Sequence, residues 1–374
     1  MIVIADDITG AAEMAGIAFS QGQQVSLVCG GSICCDNIAA QTTVIATDTR
    51  SMTEAEAVAE THRILCKAEC GMANPSHLSP LTPHLFKKTD SALRGHVVAE
   101  LSILMQTTDY ERAIYLPANP SKGRIIKDGV YYINGKAIHE TDFSFDPEFP
   151  AKTSVLKERF PDAEAKGIIM PDAESEEDIQ KVIAKYNDGK TLFAGAADLF
   201  SALLGPSRET RNTRDSRETR DTRVSNCPST LILCGSTQSK PLDLGIPVAP
   251  MPCEVYDGNE DISLWDTSAY KEKHSLILTM PYTHRTGKEA AVHLRTMMAR
   301  KTKELITLHC PIHLIIEGGA TAWATLQALG WTQFEIVAQI APGVVQMSAT
   351  NGTLVTLKPG SYPWGNLFSS SANT

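Results

Sequence analysis

The sequence predicts an α/β protein of two domains, each a mostly parallel sheet flanked by helices, with the ligand cleft between them. Three observations lead there. The chain has 374 residues, more than one ordinary hydrophobic core supports. Short apolar runs alternate with helix-length segments, the pattern of parallel strands joined by crossover helices. A segment of different composition, RETRNTRDSRETRDTR at 208–223, then divides the chain: it holds no aliphatic residue and repeats Arg-x-Thr-Arg with alternating charge. Such a segment reads as an exposed helix or a tether, because its interspersed acids cancel most of the positive charge an RNA-binding patch would need. The expected boundaries are 1–205 for the first domain, 206–227 for the linker and 228–374 for the second domain.

The elements follow in order. Ile2-Val3-Ile4-Ala5 reads as a strand that stops at Asp6-Asp7, and Thr9-Gly10 opens an amphipathic helix through Phe19. Residues 25–28 and 44–46 read as strands, the second ending at Thr47-Asp48-Thr49-Arg50, and 54–70 has a helical composition. Leu85-Phe86-Lys87-Lys88 is a strand leading into Thr89-Asp90-Ser91, with a helix expected over 97–105. Strands at 113–116, 167–170 and 192–194 complete the first half. Beyond the arginine-rich segment, 230–234, 275–279 and 313–316 are strands and 288–308 is a helix.

Composition narrows the function. A hydrophobic fraction of 43% with 21% charged residues is that of an ordinary globular chain, and a net charge of −9 argues against a nucleic-acid partner. No stretch reaches the roughly 18 apolar residues that span a bilayer. The opening MIVIADDITG lacks the cationic start of a signal peptide, so a cytoplasmic protein is expected. The nine cysteines show no Cys-x-x-Cys and no paired spacing with histidine. Most are expected to be buried free thiols. Oligomeric state is not legible.

In open parallel sheets ligands sit beyond the carboxyl ends of the strands, and four clusters lie at such ends. Asp6 and Asp7 follow the first strand. Adjacent carboxylates repel unless a cation, a polyol or solvent meets them, though Asp7 or Thr9 also suits a helix cap. On an extended backbone the two would point to opposite sides. Lys88, Thr89, Asp90, Ser91 and Arg94 gather cations, a carboxylate and hydroxyls at a strand-to-helix junction, chemistry that suits an acid bearing hydroxyls. Arg50 adds a cation after another strand. In the second half, glycine turns after strands include Ser236, then Gly318-Gly319-Ala320-Thr321, then Gly360. They would let backbone amides approach phosphates, although no P-loop or Gly-x-Gly-x-x-Gly is present.

The stretches IADDITGAAEMAG, KKTDSALRG and PANPSKGRIIKDGVYYINGKAI with DPEFP, and later GST, EGGATA, PGV and KPGSYPWG, resemble the four-carbon acid sugar kinase family nearly end to end. The resemblance implies an N-terminal domain that binds the acid and a C-terminal domain that binds ATP. It implies transfer of the γ-phosphoryl group to a hydroxyl of a threonate, an erythronate or an oxo-tetronate. It puts the substrate-binding residues at Asp6, Asp7, Arg50, Lys88, Thr89, Asp90, Ser91 and Arg94, and the nucleotide-binding residues at Ser236, Gly318 to Thr321, and Gly360. Two positions depart from the family pattern. Ala320 stands where an acidic residue is frequent, and Pro359 with Pro363-Trp364 alters the last glycine loop. Glu317 is the carboxylate that could substitute, and metal ligands are not assigned.

Phosphoryl transfer needs alignment, charge neutralisation and a proton acceptor. Asp7 and Asp90 are both candidates for that base, with Mg²⁺ expected on the ATP phosphates. Two other readings stand beside the kinase. A haloacid dehalogenase-type phosphatase also carries an aspartate after its first strand, but it needs Asp-x-Asp, where this chain has Ile8. A non-catalytic sensor of acid or nucleotide would tolerate Ala320 and the altered loop.

Overall fold

The computed structural model describes residues 1–30, 40–69, 85–146, 148–205, 229–236, 242–281, 287–360 and 362–368. The arginine-rich segment, Cys34, Cys35, Cys70, Thr237 and Ser361 lie outside the described residues. The chain divides into two compact units, Met1–Glu209 and Thr210–Thr374.

Four consecutive buried aliphatic residues make β1 (Ile2–Ala5) a strand covered on both faces, which is the place of a central parallel strand. The rest of the first unit follows from it. In chain order come α1 (Ile8–Ser20), β2 (Val25–Cys29), β3 (Thr42–Ala46), α2 (Glu54–Glu69), β4 (Leu85–Lys88), α3 (Val97–Thr107) and β5 (Arg112–Leu116). Then come β6 (Arg124–Lys127), β7 (Val130–Ile133), β8 (Lys136–Ala137), α4 (Leu156–Arg159), β9 (Ile168–Ile169), α5 (Glu176–Tyr186), β10 (Thr191–Gly195) and α6 (Ala197–Leu204). The parallel sheet has the order β2-β3-β1-β4-β10-β5-β9, with Ala5 level with Ala46 on one side and Lys88 on the other. Helix α1 packs on β3, β2 and α6, while α2 pairs with α3.

Two expectations change here. Helix α1 is not amphipathic: nine of its 13 residues are buried, mostly alanine and glycine, because it lies between the sheet and α6. The alternation of strand and helix also misses the small antiparallel sheet β6-β7-β8. Its turns stand at Asp128-Gly129 and Asn134-Gly135, all at positive φ, so the signal was the Asp-Gly and Asn-Gly hairpin pairs rather than periodicity.

The second unit holds β11 (Thr230–Cys234), β12 (Val248–Pro250), α7 (Cys253–Tyr256), α8 (Ala269–Lys273), β13 (Ser275–Thr279), α9 (Lys288–His309) and β14 (His313–Glu317). It continues with α10 (Gly319–Leu329), β15 (Gln333–Ala341), β16 (Val344–Ala349) and β17 (Leu354–Lys358). Its strands run β12-β13-β11-β14-β17 in parallel and finish with antiparallel β16 and β15. Ile232, Cys234, Ile277, Ile315 and Leu367 form a core cluster against which Leu242, Ile246, Trp364 and Phe368 pack.

No helix among the described residues is long and apolar enough to cross a membrane. Of five described free cysteines only Cys29 and Cys234 are buried, and Cys66, Cys253 and Cys310 are exposed, so the expected burial fails for three. Burial pushes the Cys29 and Cys234 thiols up to about 12, which leaves them unreactive near neutrality.

Candidate functional site

Strands β3, β1 and β4 are neighbours, so the loops after them meet. After β1 the chain turns directly into α1, with Asp7 as N-cap: its Oδ1 accepts from the Gly10 backbone N–H at 2.8 Å and its Oδ2 from the Thr9 hydroxyl at 2.7 Å. After β3, a left-handed Asp48 (φ 57°) leads into a single 3₁₀ turn carrying Arg50. The guanidinium closes a two-pronged bridge on Asp6, with Nε to Oδ2 and Nη2 to Oδ1 at 3.0 Å each. Its Nη1 donates to Asp7 Oδ2 at 3.1 Å, and Nη2 lies 3.6 Å from Asp90 Oδ1. Asp6 and Asp7 therefore converge on one cation instead of pointing apart, although Asp7 keeps an extended backbone (φ −146°, ψ 162°): the Arg50 guanidinium is broad enough to give Nε and Nη2 to Asp6 and Nη1 to Asp7.

The loop after β4 completes the cluster. Asp90 Oδ2 accepts from the Ala92 backbone N–H at 3.0 Å and Arg94 Nε at 2.8 Å, while Asp90 Oδ1 accepts from Arg94 Nη2 at 3.0 Å. Leu93 sits at φ 63° and Gly95 at φ 96°. A Cβ on Gly95 would stand 3.3 Å from Asp6 Oδ2, so glycine serves both the turn and the close approach. Ser91 accepts at Oγ from Arg124 Nη1 and at its carbonyl from the Tyr131 hydroxyl. Thr89 Oγ1 and Tyr115 OH are buried without a hydrogen-bond partner.

A supporting layer lies beneath. Lys87, wholly buried, donates to Glu100 at 2.7 Å, and Glu100 also accepts from Thr49 and Thr61. This ties β4 to the turn that carries Arg50. Lys88 Nζ donates to the Thr89 carbonyl at 2.8 Å and lies 3.9 Å from Glu13, which takes Lys122 at 2.6 Å. Reading strand ends from sequence missed Glu13, Glu100, Lys122 and Arg124. The basic residues of PSKGR, directly after the strand β5, were the available signal for the last two.

Electrostatics separates the three aspartates. Burial raises the Asp6 carboxyl above its ordinary value despite Arg50. Burial acts likewise on Asp7, but Arg50, Lys88 and the Thr9 hydroxyl outweigh it and hold Asp7 low. Asp90 is buried too, and Arg50 and Arg94 together hold it well below the usual carboxylate range.

In the second unit β11, β14 and β17 are also neighbours. Thr321 Oγ1 lies 3.4 Å from the Gly235 carbonyl, and a Cβ on Gly360 would overlap the Ser236 side chain. Ser236, Gly318 to Thr321, and Gly360 thus converge. Helix α10 begins there with no side-chain cap, so no side chain meets its first-turn amides at the N-cap. Ala320 is exposed. Glu317 is buried and bridged to Lys358 at 2.5 Å, so its charge is already met. Lys358 also donates to the Pro359 and Gly360 carbonyls at 3.1 Å each and lies 4.8 Å from the Trp364 ring centroid. Among the described residues no group of three His, Cys, Asp or Glu side chains could hold a metal ion.

Comparison with known proteins fits this layout. Residues 1–162 match the model of a sugar-binding N-terminal domain and residues 264–362 that of a nucleotide-binding C-terminal domain. A D-threonate kinase of Salmonella typhimurium is 28% identical over 232 residues, covering 54% of this chain and 53% of that one. A 3-oxo-tetronate kinase of Brucella melitensis is 29% identical over 157 residues, covering 41% and 34%. The chain thus spans between about a third and about half of the length of the curated relatives it matches. A Haemophilus influenzae crystal structure of the DUF1537 family shares the fold, with TM-score 0.66 and 18% identity over 98% of both chains. The chain thus carries a domain of the sugar-binding N-terminal family followed by one of the nucleotide-binding C-terminal family.

Proposed function

We propose that this chain is an ATP-dependent kinase that phosphorylates a hydroxyl of a four-carbon sugar acid, with D-threonate and 3-oxo-tetronate as first candidates. The observation that carries this reading is the convergence of Asp6, Asp7, Asp90, Arg50 and Arg94 at three adjacent strand ends, inside the region that matches the sugar-binding model. Asp7 is the better base of the two candidates. Its side chain is 17% exposed against 11% for Asp90, and it is free of the Arg94 fork that holds both oxygens of Asp90. Arg50 then orients the aspartates, and Lys88 and Arg94 supply positive potential. Thr89 Oγ1 and Ser91 are placed to meet substrate hydroxyls.

ATP phosphates would take the first-turn amides of α10, with Ser236, Thr321 and Gly360 around them. Mg²⁺ would enter with the nucleotide, bound to its phosphate oxygens, since Glu317 is committed to Lys358. The phosphatase reading has no support in the geometry, because Ile8, where it needs its second aspartate, is 1% exposed in the core. ADP release should be followed with ATP over a panel of D- and L-threonate, D- and L-erythronate and 3-oxo-tetronate. At least one acid should drive it. Binding of acid and ATP without ADP from any acid would turn the reading to a sensor.

A further inference from the structure

The cations of the acid site are not equally available. Arg50 is closed on Asp6 and bridged to Asp7, and Arg94 is closed on Asp90. Lys122 is taken by Glu13, and Lys88 by the Thr89 carbonyl. Arg159 donates to the carbonyls of Leu93, Phe149 and Pro150. A substrate carboxylate docking on Arg50 or Arg94 would have to displace an aspartate and then sit beside it, like charge against like.

Arg124 is different. Among the described residues no carboxylate pairs with it: its side chain donates from Nη1 to the neutral Ser91 hydroxyl and lies 5.9 Å from the Phe143 ring centroid. It is also rigidly placed. Arg124 opens β6 directly after Gly123 (φ 66°), and its backbone exchanges two hydrogen bonds with Asn119. The Asn119 side chain accepts from the Asp198 backbone N–H, and Asp198 holds Ser121 in turn. Ser91 aims the guanidinium at the loop that carries Asp90. A second observation points to the same place: Thr89 Oγ1, two residues before Ser91 and 1% exposed, has no partner and suits a ligand hydroxyl.

We infer that Arg124 is the residue that recognises the substrate's carboxylate, through the part of its fork that Ser91 leaves open, and so sets the preference for acids over neutral polyols. This rests on the sugar-acid reading above. The geometry supplies the reason: among the described residues Arg124 has no carboxylate partner to displace, unlike Arg50, Arg94, Lys122 and Lys88 (3.9 Å from Glu13), and its fork is not filled by carbonyls, unlike that of Arg159.

The test uses the full chain and its Arg124→Gln and Arg124→Lys variants, each checked by thermal melting. Calorimetry measures binding of each four-carbon acid without nucleotide, and ADP release compares the best acid with threitol. Loss of two charge-assisted hydrogen bonds predicts acid binding about 10- to 100-fold weaker in Arg124→Gln, with the acid-over-threitol ratio of kcat/KM falling by a similar factor. Arg124→Lys, which keeps the charge but not the fork, should fall between. Unchanged acid binding, or equal losses for acid and threitol in a folded variant, would overturn the inference. Wild-type chain that binds acid but releases no ADP would sink the kinase reading alone, whereas wild-type chain that binds none of the acids would sink both.

Discussion

Asp7 carries two roles on one carboxylate, and asparagine separates them. Its Oδ1 caps α1 on the Gly10 amide at 2.8 Å, and its Oδ2 meets Thr9 and Arg50. Asparagine caps helices about as well as aspartate and keeps a carbonyl oxygen for that amide. What it loses is the charge facing Arg50. A hydrogen bond to a charged group contributes about 1.5–3 kcal/mol when buried. Asp7 is 17% exposed and Asp6 still closes the guanidinium, so a cost of about 1–2 kcal/mol applies. In a unit of this size that lowers melting by roughly 2–8 °C. Asp7→Ala also removes the cap, for a further 0.5–2 kcal/mol or about that. Turnover should behave differently. Removing a general base costs about 10²–10⁴-fold in kcat, and both variants lose it equally. The assay is ADP release at saturating acid and ATP, run beside melts of wild type, Asp7→Asn and Asp7→Ala. A kcat for Asp7→Asn within about threefold of wild type would refute Asp7 as base. A kcat loss that tracked melting, far worse in Asp7→Ala, would make the residue structural only.

Arg50→Gln leaves Asp6, Asp7 and Asp90 facing one another with Asp6 2% exposed, which should destabilise the first unit by about 3–5 kcal/mol and abolish acid binding, read by melting and calorimetry. A melt within 2 °C of wild type, or about that, would show the cluster carries no such load. Gly360→Ala drives a Cβ into Ser236 and should raise the KM for ATP about tenfold or more, with acid binding by calorimetry unaffected. Equal ATP affinity would remove Gly360 from the nucleotide loop. His313 is buried neutral, its pKa lowered by burial from 6.5 to about 4. Its contribution is therefore full above pH 6.5 and falls as pH drops toward 4, because the unfolded chain takes up the proton first; between pH 7 and 5 the loss is about 2 kcal/mol. Melting over that range should flatten in His313→Gln, and an unchanged slope would assign the dependence elsewhere.

How much of this was legible follows from which physical signal each feature leaves. Parallel strands such as β1, β11 and β14 are largely aliphatic runs because both faces are covered, and their bounds, like those of β4, match the sequence expectation to within about a residue. The hairpins β6-β7-β8 and β15-β16 leave their mark in turn residues, Asp128-Gly129 and Asn134-Gly135 among them, and a search for alternation passes over those. Helix α1 fails the amphipathic expectation for a reason no local window contains: α6, over 170 residues later in sequence, covers its outer face.

At the site, residue types were legible and their commitments were not. Strand ends named Asp6, Asp7, Arg50, Asp90 and Arg94 because topology alone brings such loops together. Nothing in the sequence separates Arg50 and Arg94, whose forks are closed on aspartates, from Arg124, whose fork is not. That difference is made by tertiary structure, since Arg124 arrives on a hairpin inserted after β5. The altered loop of the second unit makes the same point in reverse. Pro359 and Trp364 look like losses when set against the family's glycine-rich loop. In the structure Lys358 bridges Glu317, lies against Trp364 and donates to the carbonyls of Pro359 and Gly360, which holds Gly360 against Ser236. The altered loop is thus held at the strand end by Lys358, with Pro359 and Trp364 among the groups that meet that lysine. If that lysine is what positions the loop, Lys358→Met should weaken ATP as much as Gly360→Ala does, while leaving Glu317 uncompensated and the second unit less stable. ATP affinity retained in a Lys358→Met chain that still melts cooperatively would show that the loop holds its position without it.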